Sequence, residues 1–173
     1  MERINKESIE EREGLDQAHF VFAVPAPLPN EKEHYLMQVL DAYLANGMSS
    51  KIFLEVREKR GLAYAVKSTI ECEKDYSHYV IYVGTMKNKI DEVKRIIVEE
   101  FEKVVNMNEK ELEEAKQQLI GLKRISAEES TNVMNELMMH ELAGDAEDYY
   151  KFEEEIRKVK LEDVKRLAKE LIK

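Results

Sequence analysis

At 173 residues with 43% hydrophobic content, the chain is long enough for one domain whose core buries roughly two thirds of the surface exposed on unfolding. Its formal charge of −9, with no basic patch, excludes a nucleic-acid surface, because phosphate binding needs clustered cations. Charged residues reach 36%, rich in Lys and Glu with no Trp, a mixture that resembles a heat-adapted protein.

Residues 1–17 carry many charges and no apolar period, and read as a lead-in segment ahead of a domain over 18–173. They are acidic, unlike a signal peptide, and no apolar run reaches the ~20 residues of a membrane-spanning helix. Ala18–Pro27 is a continuous apolar strand closed by Pro25, Pro27 and Pro29, which cannot continue a ladder. From Glu31 the period changes to that of a helix, with Tyr35, Leu36, Val39, Leu40, Tyr43 and Leu44 on one face. Ser49 or Ser50 caps the next helix, which runs to about Glu58. Two strands follow, Ala65–Glu73 and His78–Gly84, joined by "KDYS" as a hairpin.

Beyond Thr85 the chain reads as helical. Ile90, Val93, Ile97, Phe101 and Val104 form one stripe. Asn108 and Glu111 have capping-box spacing at the start of a long helix, which Gly121 or the polar patch Ser126–Asn132 bends and Gly144-Asp145 ends. Helices over Ala146–Lys158 and Leu161–Ile172 complete the chain. The order predicts an α+β fold: an antiparallel or mixed sheet of three strands, helices packed on one face, and a helical C-terminal half.

Recognised catalytic motifs are absent. None of His19, His34, His78 and His140 lies at the spacing of H-E-x-x-H or its inverse, and there is no G-x-G-x-x-G, P-loop or G-x-S-x-G. No metal ligands are assigned. Cys72, the only cysteine, cannot form an internal disulfide; it reads as a buried, inert thiol and fits a reducing, cytoplasmic setting. His140 reads as a helix-surface or interhelix residue, and His19 and His78 as hydrogen-bonded structural groups. The pair Glu99-Glu100 reads as a solvated helix face, and Met134, Met138 and Met139 as helix-packing filler. Around "VREKRGLAYAV", Arg57, Lys59 and Arg60 occupy a last helical turn, where the macrodipole favours each cation by about 0.3–1 kcal/mol. Gly61 is the expected left-handed cap, and Tyr64 packs at the start of a strand.

"GMSSKIFLEVREKRGLAYAVKS", Gly47–Ser68, resembles the second-domain signature of the pitrilysin/insulinase-type zinc metallopeptidases, the family that includes the mitochondrial processing peptidase. "LDQAHFVFAVPAP", "YVIYVGTMKNKIDEV", "NEKELEEAKQQLIG" and "KLEDVKRLAKE" are similar to flanking family segments, so the likeness spans roughly residues 15 to 172. The resemblance implies two homologous halves closing on a chamber, with zinc held by a different domain or subunit and none by this chain. It also implies a further strand and helix ahead of Gln17. By position, Arg57 and Tyr64 would hydrogen-bond a peptide substrate near its scissile bond, and Phe53 would line an apolar subsite. The expected function is a substrate-chamber domain assisting metalloendopeptidase chemistry, without catalysis by the isolated chain. The alternative is a non-catalytic scaffold or assembly subunit. The expected partners are a zinc-bearing domain and a peptide, with self-association through an exposed sheet edge as a further possibility.

Overall fold

The computed structural model describes residues 6–73 and 75–172. Residues 6–17 contain no helix or strand and are exposed; Lys94 reaches back to Glu7 at 2.9 Å. Strand β1 (Ala18–Pro25) leads to helix α1 (Glu33–Leu44), then to the short helix α2 (Lys51–Phe53), which widens into a π-helical turn over Leu54–Glu58. Strands β2 (Ala63–Cys72) and β3 (Ser77–Thr85) come next. Five helices follow: α3 (Ile90–Lys103), α4 (Glu109–Ser126), α5 (Ser130–Ala143), α6 (Asp148–Lys158) and α7 (Leu161–Leu171).

The three strands form one antiparallel sheet in the order β1-β3-β2, so the hairpin places β3 in the middle. Lys74, in the predicted turn, lies outside the described residues, while Glu73 N–H donates to Tyr76 C=O at 2.8 Å. Period-two alternation divides the side chains between two faces. Phe20, Phe22 and Val24 lie in register with Val83, Ile81 and Tyr79, which lie in register with Val66, Ser68 and Ile70. This face carries the helices. Phe101 of α3 meets Phe22 and Tyr79, with ring centroids 5.5 and 6.4 Å apart. On the other face, His19, Val21, Ala23, Lys67, Thr69 and Glu71 are exposed. There the His19 Nδ1–Tyr82 hydroxyl hydrogen bond of 2.8 Å lies beside Gly84, where an added Cβ would sit 3.2 Å from the same hydroxyl.

Helix α1 is the hinge between the layers. Its apolar stripe, Met37, Val39, Leu40 and Leu44, is buried, and α4, α6 and α7 pack against it. Tyr79 donates to Asp41 Oδ1 at 2.7 Å, joining the middle strand to the middle of α1. Behind α1, buried Lys116 of α4 donates to Glu113 at 2.8 Å and to the Arg157 carbonyl of α6 at 3.3 Å. The α4 start is a capping box: Glu111 N–H donates to Asn108 Oδ1, and Asn108 N–H donates to Glu111 Oε2, each at 3.1 Å.

Three expectations are corrected. The predicted long helix is two helices. It breaks at the polar patch, where Ala127 closes the α4 end and Glu129 turns extended, while Gly121 stays helical. Glu100 is only 5% exposed and bound to Lys103 at 2.6 Å, so it is not a solvated carboxylate. Met134, Met138 and Met139 are not packing filler: α5 has no buried residue, because it packs chiefly on α6 and leaves its other sides open.

Burial holds the Asp41 carboxyl above the usual range, with the hydrogen bond from Tyr79 offsetting part of that shift. The native state therefore keeps this proton to higher pH than the unfolded chain does. Ionisation of Asp41 costs stability above its native pKa, and that cost disappears as pH falls below the unfolded value. Urea midpoints measured from pH 7 down to pH 4 should show the parent gaining stability relative to Asp41→Asn; a constant difference would contradict this. Tyr79→Phe strips a buried acceptor of its donor and should lose about 1–3 kcal/mol. Asn108→Ala removes the α4 cap and should lose about 0.5–2 kcal/mol in the same assay.

Candidate functional site

The candidate site is built where the π-helical turn meets the start of β2. Ser50 takes the N-cap position of α2 in extended geometry, but its hydroxyl donates to Gly47 C=O at 2.7 Å instead of capping a helical N–H. The turn opens one residue wider than an α-helix: Lys59 N–H reaches Leu54 C=O at 2.9 Å, five residues back. It ends in a Schellman-like arrangement. Gly61, at φ +60°, donates to Arg57 C=O at 3.0 Å, and Leu62 N–H donates to Val56 C=O at 2.8 Å. Gly61 thus supplies the left-handed residue predicted for it.

The three cations of this turn have different surroundings. Glu55 pairs with Lys59 and, at 3.2 Å, with Arg60. The hydrogen bond from Lys59 is the main reason that the Glu55 carboxyl stays below its usual range. Lys59 and Arg60 are therefore occupied by a local carboxylate in addition to the helix terminus. Arg57 makes no ion pair among the described residues. Its guanidinium carbon lies 5.2 Å from the centre of the Phe53 ring, one turn earlier, a cation–π distance. Phe53 is only 7% exposed, so it is the buried base under Arg57 and offers little open wall to a ligand.

Tyr64 is positioned by a register shift. Ala63 pairs with Thr85 and Ala65 with Gly84, so Tyr64 is the extra residue of a β-bulge. Bulges break the pairing locally and re-aim a side chain. Tyr64 is 58% exposed, and its hydroxyl makes no hydrogen bond among the described residues. The start of the strand is pinned by buried Thr85, whose hydroxyl donates to Leu62 C=O at 2.5 Å. Arg57 and Tyr64 therefore flank one rigid connection, each exposed and each with unused donors. The arrangement can offer a charged fork and a neutral phenol to a carbonyl or carboxylate oxygen.

The other candidate groups are accounted for locally. His19 bonds Tyr82, His78 lies 3.2 Å from Glu71, and His140 meets the Tyr149 ring edge-on. Cys72 is half-buried and 3.2 Å from the Ser77 hydroxyl; burial pushes its thiol up, away from the reactive thiolate. Among the described residues, no group of three or more His, Cys, Asp or Glu is placed to hold a metal ion. No described helix is long and apolar enough to cross a membrane.

Sequence reasoning missed a groove of about 840 Å³ between α1, β2, α4 and α5. It brings together His34, Gln38, Ser68, Cys72, Lys123 and His140. These residues come from four elements dispersed along the chain, so no local spacing announces them.

An uncharacterized zinc protease of Streptomyces coelicolor is 33% identical over 129 residues, covering 73% of this chain and 28% of that protein. The uncharacterized zinc protease YmxG of Bacillus subtilis is 30% identical over 168 residues, covering 95% and 41%. The chain therefore spans less than half the length of either relative. A protease from Helicobacter pylori has the same fold, with a TM-score of 0.85 at 21% identity over 94% of this chain and 40% of that one. So does a chain of complex III from Candida albicans, with a TM-score of 0.79 at 20% identity over 92% and 41%. The family model for the peptidase M16 inactive domain matches residues 2–119, a span that contains the Gly47–Ser68 signature. Matched over more than half its length, the chain belongs to the peptidase M16 family, of the pitrilysin type, as an inactive domain.

Proposed function

We propose that this chain is a non-catalytic scaffold domain of an M16-type assembly. The observation that carries this reading is the pairing of a one-sided α+β layer with a described chain that holds no metal cluster. The helices cover one face of the sheet; the other face and both outer strands are left for a second domain or subunit. Fold likeness to a chain of complex III agrees with a structural role for such a layer. Zinc, where the assembly uses it, would sit on the partner.

A second reading is favoured by one feature, the bulge at Tyr64. A scaffold alone has no need to re-aim an exposed phenol beside an arginine that has no carboxylate partner among the described residues. In that reading the domain closes a chamber over a peptide. Arg57, resting on Phe53, and Tyr64 then donate to the substrate backbone while the partner supplies metal and base.

Mixing the chain with a zinc-bearing M16 domain and measuring mass by light scattering tests the first reading. A stoichiometric complex is expected, with zinc confined to the partner by metal analysis; persistent monomers, or stoichiometric zinc on this chain alone, would overturn it. Peptide turnover by the complex separates the two readings. If Arg57 and Tyr64 stabilise the transition state, Arg57→Ala and Tyr64→Phe each lower kcat by about 10²-fold or more, as loss of an oxyanion donor does. If they serve only the scaffold, the complex forms and kcat is unchanged.

A further inference from the structure

The groove between α1, β2, α4 and α5 lies apart from Phe53, Arg57 and Tyr64, none of which lines it. At about 840 Å³ it falls within the size range of small-molecule sites. Its walls are largely apolar, with Ile70 of β2, Leu119 and Leu122 of α4, Met139 and Leu142 of α5, and Phe152 of α6. Gln38 Oε1, on the α1 wall, is buried and accepts no hydrogen bond, which leaves an acceptor for a ligand O–H or N–H.

One amine enters this apolar space. Lys123, in the last turn of α4, is the only Lys or Arg among the described residues that line it, and its side chain is 17% exposed. Its Nζ lies 4.2 and 5.0 Å from the centres of the Tyr149 and Phe152 rings and pairs with the Glu136 carboxylate. The rings, the carboxylate and the end of α4 all favour the ammonium form. Burial opposes them and prevails, lowering the pKa to about 8. Roughly a tenth of such an amine is neutral at pH 7, against fewer than about one in a thousand for an exposed lysine. A desolvated lysine in an apolar pocket, touching a carboxylate that can take its proton, is arranged as a carbonyl-directed nucleophile.

The other titratable groups around the groove leave this role to Lys123. Burial, and then the charge on Lys123, hold His140 of α5 below its ordinary pKa; Asp148 of α6, itself paired with Lys151, offsets part of that shift. Burial likewise lowers His34 of α1, so both imidazoles are neutral at pH 7. Burial raises Tyr35 and Asp41 of α1 and Cys72 of β2, which keeps the phenol and the thiol protonated there. Glu73, at the end of β2, is exposed and disfavours an anionic ligand.

We propose that Lys123 is a covalent site for an uncharged aldehyde with an alkyl body, which it holds as a Schiff base in the groove. Glu136 takes a proton from the Lys123 ammonium, and the freed nitrogen attacks the carbonyl carbon as the C=O pair moves to oxygen. A proton passes from nitrogen to that oxygen, giving a carbinolamine. Glu136 returns its proton to the hydroxyl, the C–O bond breaks, and water leaves the protonated imine. One ammonium and one aldehyde thus give one iminium and one water. The alkyl body packs on Leu119, Leu122 and Leu142. Neither reading of Arg57 and Tyr64 bears on this site, so it stands or falls separately.

The probe is hexanal, added to the intact chain with cyanoborohydride, which reduces the imine to a stable hexylamine that peptide mass mapping locates. At pH 7 Lys123 should gain a hexyl group at least about tenfold faster than Lys110, whose side chain is 85% exposed. The Lys123 rate should rise with pH and reach half its maximum near pH 8, where half of the amine is neutral. In urea that unfolds the chain the preference should vanish. Glyoxylate, an anionic aldehyde without an alkyl body, should show no preference for Lys123. Lys123→Met should keep the fold by circular dichroism and lose the fast-labelling site. Leu142→Arg changes a side chain that is 64% exposed, so it should keep the fold and slow labelling of Lys123. The mapping is read on the parent chain, so it decides the matter whether or not either variant folds. Labelling of Lys123 no faster than of Lys110, an equal preference with glyoxylate, or a preference that survives in urea would each overturn the assignment.

Discussion

Everything behind the sheet depends on how α1 is seated on β3. The contact is apolar over most of its length, with Met37, Val39, Leu40 and Leu44 buried, and it is fixed at one polar point, Tyr79 to Asp41. Apolar packing is tolerant of sliding; a hydrogen bond between two side chains that are otherwise sealed from water is not, because a shifted register would leave both groups unpaired. Since α4, α6 and α7 pack against α1, that point also sets where the second layer lies relative to the sheet. Lys116 repeats the arrangement one layer further out, tying α4 to the end of α6 through the Arg157 carbonyl.

The same layering explains why function is confined to what the helices leave open. One face of the sheet, the bulged start of β2 and the groove under α5 are its exposed features. The bulge and the π-helical turn are local departures from regular geometry on either side of Gly61. Each adds a residue that regular structure would not accommodate, and each coincides with an exposed side chain, Tyr64 or Arg57. Departures of this kind recur at functional sites because they aim side chains that a regular ladder would direct elsewhere.

Much of the fold was legible because it is local. The apolar run at β1, the stripe of α1 and the Asn108–Glu111 box depend on residues within one or two turns of each other, and all three appear where the sequence places them. What was not legible depends on distant partners. Glu100 reads as a surface carboxylate until Lys103 and the packing of α3 enclose it. The exposure of Met134 and Met138 follows from how α5 leaves the bundle, which no helical period encodes. For the candidate site, the Arg57–Gly61–Tyr64 spacing was visible, but the bulge needs the register with β3, and the role of Phe53 needs the position of the guanidinium.

Glu55 gives the clearest physical account of why similar cations in one turn play different parts. A helix terminus favours Arg57, Lys59 and Arg60 alike, so the macrodipole cannot distinguish them. A single carboxylate, placed four residues before Lys59 and five before Arg60, engages both and leaves Arg57 two residues away on another side of the helix. There the Arg57 guanidinium carbon lies over the Phe53 ring, at a cation–π distance, and pairs with no carboxylate among the described residues. The distinction between a cation that completes the helix end and one that remains available to another molecule is therefore written in the position of Glu55, not in the cations themselves.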